Sequence, residues 1–176
     1  MDKFIYLDNA ATTKTDKEVF KAMLPYFEEE YGNAASVYTF AGHAKKAVEA
    51  SRRTIAEFLG AKNDEIYFTA GGSESDNWAI KGVALALKNK GNHLITSKIE
   101  HHAVLHTFEF LEKQGFEVTY LNVDENGVVD LEELKNAIRP TTTLISVMFA
   151  NNEIGTVEPI AEIGKIAHEH GIVFHT

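Results

Sequence analysis

The sequence predicts an α/β fold, a mostly parallel sheet with helices on both faces, and three observations carry that prediction. Short apolar runs alternate with amphipathic ones, glycines stand where the amphipathic runs end, and no low-complexity tract, repeat or Pro/Ser-rich linker breaks the alternation. Strand and helix in alternation imply right-handed crossovers between parallel neighbours. At 176 residues with 44% hydrophobic content, the chain is about one domain long and can bury a core.

Taken in order, residues 4–7 form a short extended arm. Thr15 opens a helix, with Glu18 three residues on for a capping box and Val19, Met23 and Phe27 as an apolar stripe running toward Gly32. A long helix follows from about residue 38 to 59, carrying Ala44, Ala47, Val48, Ile55 and Leu59 inward until Gly60 stops it. Residues 65–69 are a buried strand, and Trp78, Ile80, Val83, Ala84 and Leu87 recur at helical spacing after it. Further strands are expected at 93–97, 117–121, 144–149 and 172–175. Helices are expected at 102–114, 130–138 and 160–170, with Gly115 and Gly171 closing two of them. Asp124-Glu125-Asn126-Gly127 makes a turn, and Asp130 with Glu133 caps the next helix.

The segment Gly71-Gly72-Ser73-Glu74-Ser75-Asp76-Asn77 joins the strand at 65–69 to its helix. Small residues let a ligand approach the backbone, Ser73 can cap the helix or bond an anionic oxygen, and the free N–H groups carry the positive end of the helix dipole. An anion such as a phosphate suits that place. The plainer alternative is a capping box made by Ser73 and Asp76. In an open parallel sheet, ligands collect at the carboxyl ends of the strands. The loops there are 71–77, the stretch from Ser97 through His101 and His102, the stretch from Ala150 to Gly155, and the His175-Thr176 end. Together they offer a phosphate cradle, a flat imidazole able to stack on an aromatic ligand, and amides able to bond a hydroxyl or carboxylate. A phosphorylated aromatic cofactor fits that set.

Charge and composition narrow the partners. A net charge of −9 argues against nucleic acid or an anionic membrane surface. No stretch reaches the ~20 apolar residues of a membrane span, which points to a cytoplasmic protein. With no cysteine, this chain offers neither disulfides nor a thiolate. His102 and His106 stand at the i, i+4 spacing that suits zinc on a helix, but no third ligand falls at a predictable offset, and the site reading contains no metal.

Five motifs stand in the order and spacing of class V aminotransferase-like enzymes. They are Tyr6-Leu7-Asp8-Asn9-Ala10-Ala11-Thr12-Thr13, Gly32-Asn33-Ala34-Ala35-Ser36, the 71–77 turn, Glu100-His101 and Asn151-Asn152-Glu153-Ile154-Gly155. From Ile5 to Thr176 the chain resembles a NifS/IscS-type cysteine desulfurase. The resemblance implies a PLP-dependent transferase fold of type I, with an N-terminal arm over residues 1–14 and the first part of the large domain over 15–176. It implies pyridoxal 5′-phosphate (PLP) as cofactor and L-cysteine as substrate. The products would be L-alanine and an enzyme-bound persulfide that feeds iron–sulfur cluster assembly and related sulfur transfer.

By the same resemblance, Gly72 and Ser73 hold the phosphate, and His101 stacks on the pyridine ring and assists proton transfer. Asn152 lies near the cofactor's phenolic oxygen, and Asn33 near the substrate end. The family usually has proline where Ala34 stands and an Ala-Thr pair where Gly72-Ser73 stands; a hydroxyl survives the second change, and a fixed φ is lost in the first. The lysine that bonds the cofactor, the aspartate that pairs with its ring nitrogen, the sulfur-accepting cysteine and a carboxylate-binding arginine would lie beyond Thr176. Lys98, the lysine nearest the site loops, reads as a solvated side chain. The 176 residues alone are therefore expected not to turn over cysteine. The family is homodimeric, so expected partners are a second copy, an iron–sulfur scaffold or sulfur-acceptor protein, and a C-terminal polypeptide completing the fold. A non-catalytic scaffold, a selenocysteine lyase and an aminotransferase stay open as alternatives.

Overall fold

The computed structural model describes residues 4–176, which fall into two compact units, one ending at Phe68 and one beginning at Thr69. The first three residues of the expected arm lie outside the described ones, and residues 4–7 form no regular element and are exposed.

In the first unit, α1 (Lys17–Met23) is capped one residue later than the sequence suggests. Asp16, rather than Thr15, accepts from the amides of Glu18 at 2.7 Å and Val19 at 3.4 Å, its carboxylate meeting the first free N–H groups. The expected single helix then breaks at Pro25, which has no N–H to continue the ladder, although Leu24 before it keeps helical backbone angles. The chain restarts as the four-residue α2 (Pro25–Glu28). A 3₁₀ turn at Thr39–Ala41 leads into α3 (Gly42–Leu59), which Gly60 ends with a left-handed φ of 67°. Ala44 and Ala56 are buried on α3, whereas Val48, Ile55 and Leu59 stay exposed, as do Val19, Met23 and Phe27. Replacing Asp16 by alanine is expected to cost α1 about 1 kcal/mol, read as roughly fivefold faster amide exchange at Phe20 and Lys21.

The strand expected at 65–69 does not form among the described residues. A strand needs a ladder neighbour, and here α3 holds the segment instead. Arg52 donates to the Ile66 carbonyl and lays its guanidinium 4.9 Å from the centre of the Phe68 ring. Tyr67 and Phe68 are 65% and 50% exposed, against the burial expected of them.

The second unit opens with α4 (Gly72–Ala86) and continues through β1 (His93–Ser97), α5 (His102–Lys113), β2 (Glu117–Leu121), α6 (Leu131–Ala137), β3 (Thr142–Ser146), α7 (Ile160–Glu169) and β4 (Val173–His175). The strands lie in the order β2-β1-β3-β4 and are parallel throughout. β1 and β3 are buried at every position, as central strands covered on both faces must be. Alternation divides their side chains. Leu94 and Leu144 pack with Ile80 and Ala84 of α4 and with Val104, Phe108 and Leu111 of α5. Ile95 and Ile145 pack on the opposite face, with Leu134 of α6 and Ile163 and Ala167 of α7. Trp78, expected in the apolar stripe of α4, is exposed. At α6 the cap is Asp130 alone, accepting from the Glu132 amide, because Glu133 turns instead to the backbone and side chain of Asn122.

Connectivity decides where a site can form. The chain leaves β1 through α5 for β2 on one side, then returns through α6 past β1 to β3 and on through α7 to β4. Strand order therefore reverses at β1, and a crevice opens between β1 and β3 at their carboxyl ends.

Candidate active site

Glu100 sits at that reversal, three residues past β1, and is 6% exposed. Its Oε1 accepts from Ser97 Oγ at 2.7 Å and from the Met148 amide at 2.9 Å, so one oxygen joins the end of β1 to the loop leaving β3. Burial pushes the carboxyl up to about 7, against the pull of those two donors and with help from the negative charges of Glu158 and Asp76. Asn151 makes a second brace between the same loops. Its Nδ2 donates to the Ile99 carbonyl at 2.9 Å, while its Oδ1 accepts from the amides of Glu153 at 2.8 Å and Ile154 at 3.0 Å.

His101 caps α5, its Nδ1 accepting from the Ala103 amide at 3.1 Å. The neutral ring then carries its proton on Nε2, the tautomer this bond requires. The side chains of His101 and Asn152 line one cavity of about 340 Å³ beyond the two strand ends. Lys98, on the same rim, is exposed and donates from Nζ to Asn122 Oδ1 at 2.6 Å. The rings of His102 and His106 meet edge to face at 5.5 Å. Among the described residues no group of three or more His, Cys, Asp or Glu side chains is arranged to hold a metal ion.

The start of α4 differs in detail from the capping box. Gly71, in extended backbone, is the N-cap; Gly72 and Ser73 are the first two helical residues, and the Glu74 carboxylate takes the Ala70 amide at 2.6 Å. Asp76 makes no cap, because it faces His175, with 3.9 Å between its Oδ1 and Nε2 of the imidazole. His175 Nδ1 in turn meets Ser146 Oγ at 2.9 Å. Burial lowers the His175 pKa, and the Asp76 charge opposes that. These contacts set the first turns of α4 beside the carboxyl ends of β3 and β4. The N–H groups of Gly72 and Ser73 have no acceptor within their own helix. A Cβ added at Gly71 or Gly72 would meet nothing within 4 Å, and neither residue has the positive φ that demands glycine. Packing thus leaves open space in front of two free donors and a hydroxyl. That donor set suits a phosphate, and the imidazole and amide lining the strand-end cavity suit a polar aromatic ring.

Asn33 belongs to the first unit, where its Oδ1 accepts from the Ala35 amide at 2.9 Å and shapes its own loop. Glu100 and Asn151 entered the sequence reading only as neighbours of His101 and Asn152. Alternation of apolar residues carries no signal that a carboxylate after a strand end turns inward.

An open helix start and a switch-point crevice on a parallel sheet define an α/β domain of the kind that takes ligands at its strand ends. The chain belongs to the aminotransferase class-V family, whose model matches residues 5–176. Enzymes of this family, cysteine desulfurases among them, depend on PLP. Among curated relatives, the cysteine desulfurase IscS of Clostridium botulinum is 59% identical over all 176 residues, and that of Methanosarcina thermophila 60% over 175. The chain spans 44% and 43% of those two proteins' lengths. Among solved structures, a NifS-like protein superposes with a TM-score of 0.94 at 39% identity, covering 97% of this chain and 48% of that one. A structure described as SspA in complex with cysteine gives 0.93 at 46%, covering 97% and 49%.

Proposed function

We propose that this chain supplies the cofactor-binding residues of a PLP-dependent cysteine desulfurase. The observation that carries the reading is identity of 59% to IscS over all 176 residues. When bound, PLP supplies an electron-accepting pyridine ring conjugated to the reacting carbon of an amino acid. Gly72 and Ser73 hold its phosphate through their N–H groups and the Ser73 hydroxyl, with the dipole of α4 behind them. His101 covers the ring face and moves a proton at Nε2, its Nδ1 being engaged by Ala103. Asn152 donates its amide to the phenolic oxygen, while Asn151 holds the loop that presents it. Asn33 is assigned to the substrate by the family resemblance alone.

L-cysteine as substrate draws support from the cysteine complex of SspA. Delivery of the sulfur to an iron–sulfur scaffold or acceptor protein, a homodimeric assembly, a cytoplasmic location and the division into an arm (1–14) and large domain (15–176) belong to the same proposal. The test is alanine release from L-cysteine by the full-length protein carrying this segment; no alanine above background overturns it. In that protein, Ser73→Ala is expected to weaken PLP binding about tenfold, the worth of one hydrogen bond to a charged oxygen. Fluorescence titration of the cofactor-free protein measures it.

A further inference from the structure

His101 leaves β1 on one loop and Asn152 leaves β3 on another, and among the described residues neither side chain bonds across to the opposite loop. Their neighbours make the joint instead. Glu100 ties Ser97 to the Met148 amide, and Asn151 ties its own loop to the Ile99 carbonyl. We propose that Glu100 is the positioning residue of His101: its buried carboxyl, locked to Ser97 and Met148, fixes the spacing of the two loops and so where the imidazole stands relative to Asn152. This rests on the cofactor reading above.

Three features favour a positioning role over a structural accident. Glu100 is buried although no lysine, arginine or histidine among the described residues forms an ion pair with it. A carboxyl in that situation is a costly way to make two hydrogen bonds, and such costs concentrate at working sites. Its bonds also run to Ser97 at the end of β1 and to Met148 in the loop leaving β3, so that one side chain spans both walls of the crevice. Finally, Glu100 directly precedes His101, the N-cap of α5, so any displacement of its backbone passes to the imidazole across one peptide unit. Misplacement by about 1 Å is enough to change site energetics by orders of magnitude.

The test is a double-mutant cycle in the full-length protein, reading the PLP dissociation constant and the absorption maximum of the bound cofactor. Glu100→Ala is expected to weaken PLP binding about tenfold and move the band, and to add less than about twofold when His101 is already alanine. Glu100→Gln, which keeps an acceptor oxygen for Ser97 and Met148, is expected to return affinity to within about threefold of the parent. Equal losses from Glu100→Ala in both backgrounds, or a glutamine variant as impaired as the alanine one, overturn the proposal. Should Glu100→Ala fail to fold, Ser97→Ala carries the same comparison: about threefold weaker binding with His101 present and none without it supports the proposal, and equal effects overturn it. A parent protein that binds no PLP, or a His101→Ala variant with unchanged affinity and spectrum, brings down the cofactor reading and this inference together. Additivity in a parent that binds PLP and responds to His101→Ala removes the role of Glu100 alone.

Discussion

Gly91→Ala is expected to destabilise the second unit by about 3 kcal/mol, lowering the urea midpoint without changing its slope. A Cβ at Gly91 would stand 2.1 Å from the Thr141 carbonyl oxygen, 2.6 Å from its carbon and 2.8 Å from its Cα. These are backbone atoms with little room to yield. The Thr141 carbonyl accepts from the His93 amide at 3.0 Å, and Thr142 next to it meets His93 Nδ1 at 2.7 Å and holds the Arg139 amide at 2.8 Å. Moving Thr141 would disturb the entry of β1 and β3 into their ladder, where the register already shifts between His93 and Leu94. The φ of Gly91 is not positive, so the cost is steric. Gly82→Ala is the control. Its Cβ meets nothing within 4 Å and it lies inside α4, so that change is expected to stabilise by up to about 1 kcal/mol. A Gly91→Ala protein as stable as the parent would disprove the close approach.

Glu100→Gln is expected to remove a pH dependence of stability worth at most about 3 kcal/mol. Burial raises the Glu100 carboxyl from 4.5 to about 7, so between those values the folded protein holds a proton that the unfolded chain has released. The contribution of the protonated group is fully present below pH 4.5 and is lost as pH rises through about 7. Glutamine cannot titrate. The parent should therefore lose stability relative to Glu100→Gln as pH climbs across that window and run parallel to it above. His93 and His175 are lowered by burial and gain stability in the opposite direction, but both proteins contain them and the difference cancels. Denaturant unfolding of both proteins at several pH values measures the effect; a constant gap from pH 4 to 8 would refute it.

What was legible in the sequence follows from the range of each signal. β1 and β2 fall on the expected residues, and α5, α6 and α7 within a residue or two, because strand alternation, helical spacing and terminal glycines are all local. The turn at 71–77, the Glu100-His101 pair and the double asparagine were visible as motifs for the same reason. Partners were not visible. Residues 65–69 have the composition of a strand, yet a ladder is a property of two segments, and Arg52 occupies the Ile66 carbonyl. Val19, Met23 and Phe27 specify a helix face without saying what covers it. Asn151 and Asn152 both line the cavity but differ in burial, the first buried and bracing the loops and the second exposed, and no local pattern distinguishes them.

Because every strand pair is parallel, no hairpin can start this sheet. The shortest closure joins β1 to β2 across α5, whereas β1 meets β3 only after a detour from His93 to Thr142 that crosses two helices. Loop-closure entropy therefore favours β1–α5–β2 as the folding nucleus and delays the arrival of β3. The walls of the crevice come together late, when Met148 reaches a carboxyl that the nucleus has already carried into place.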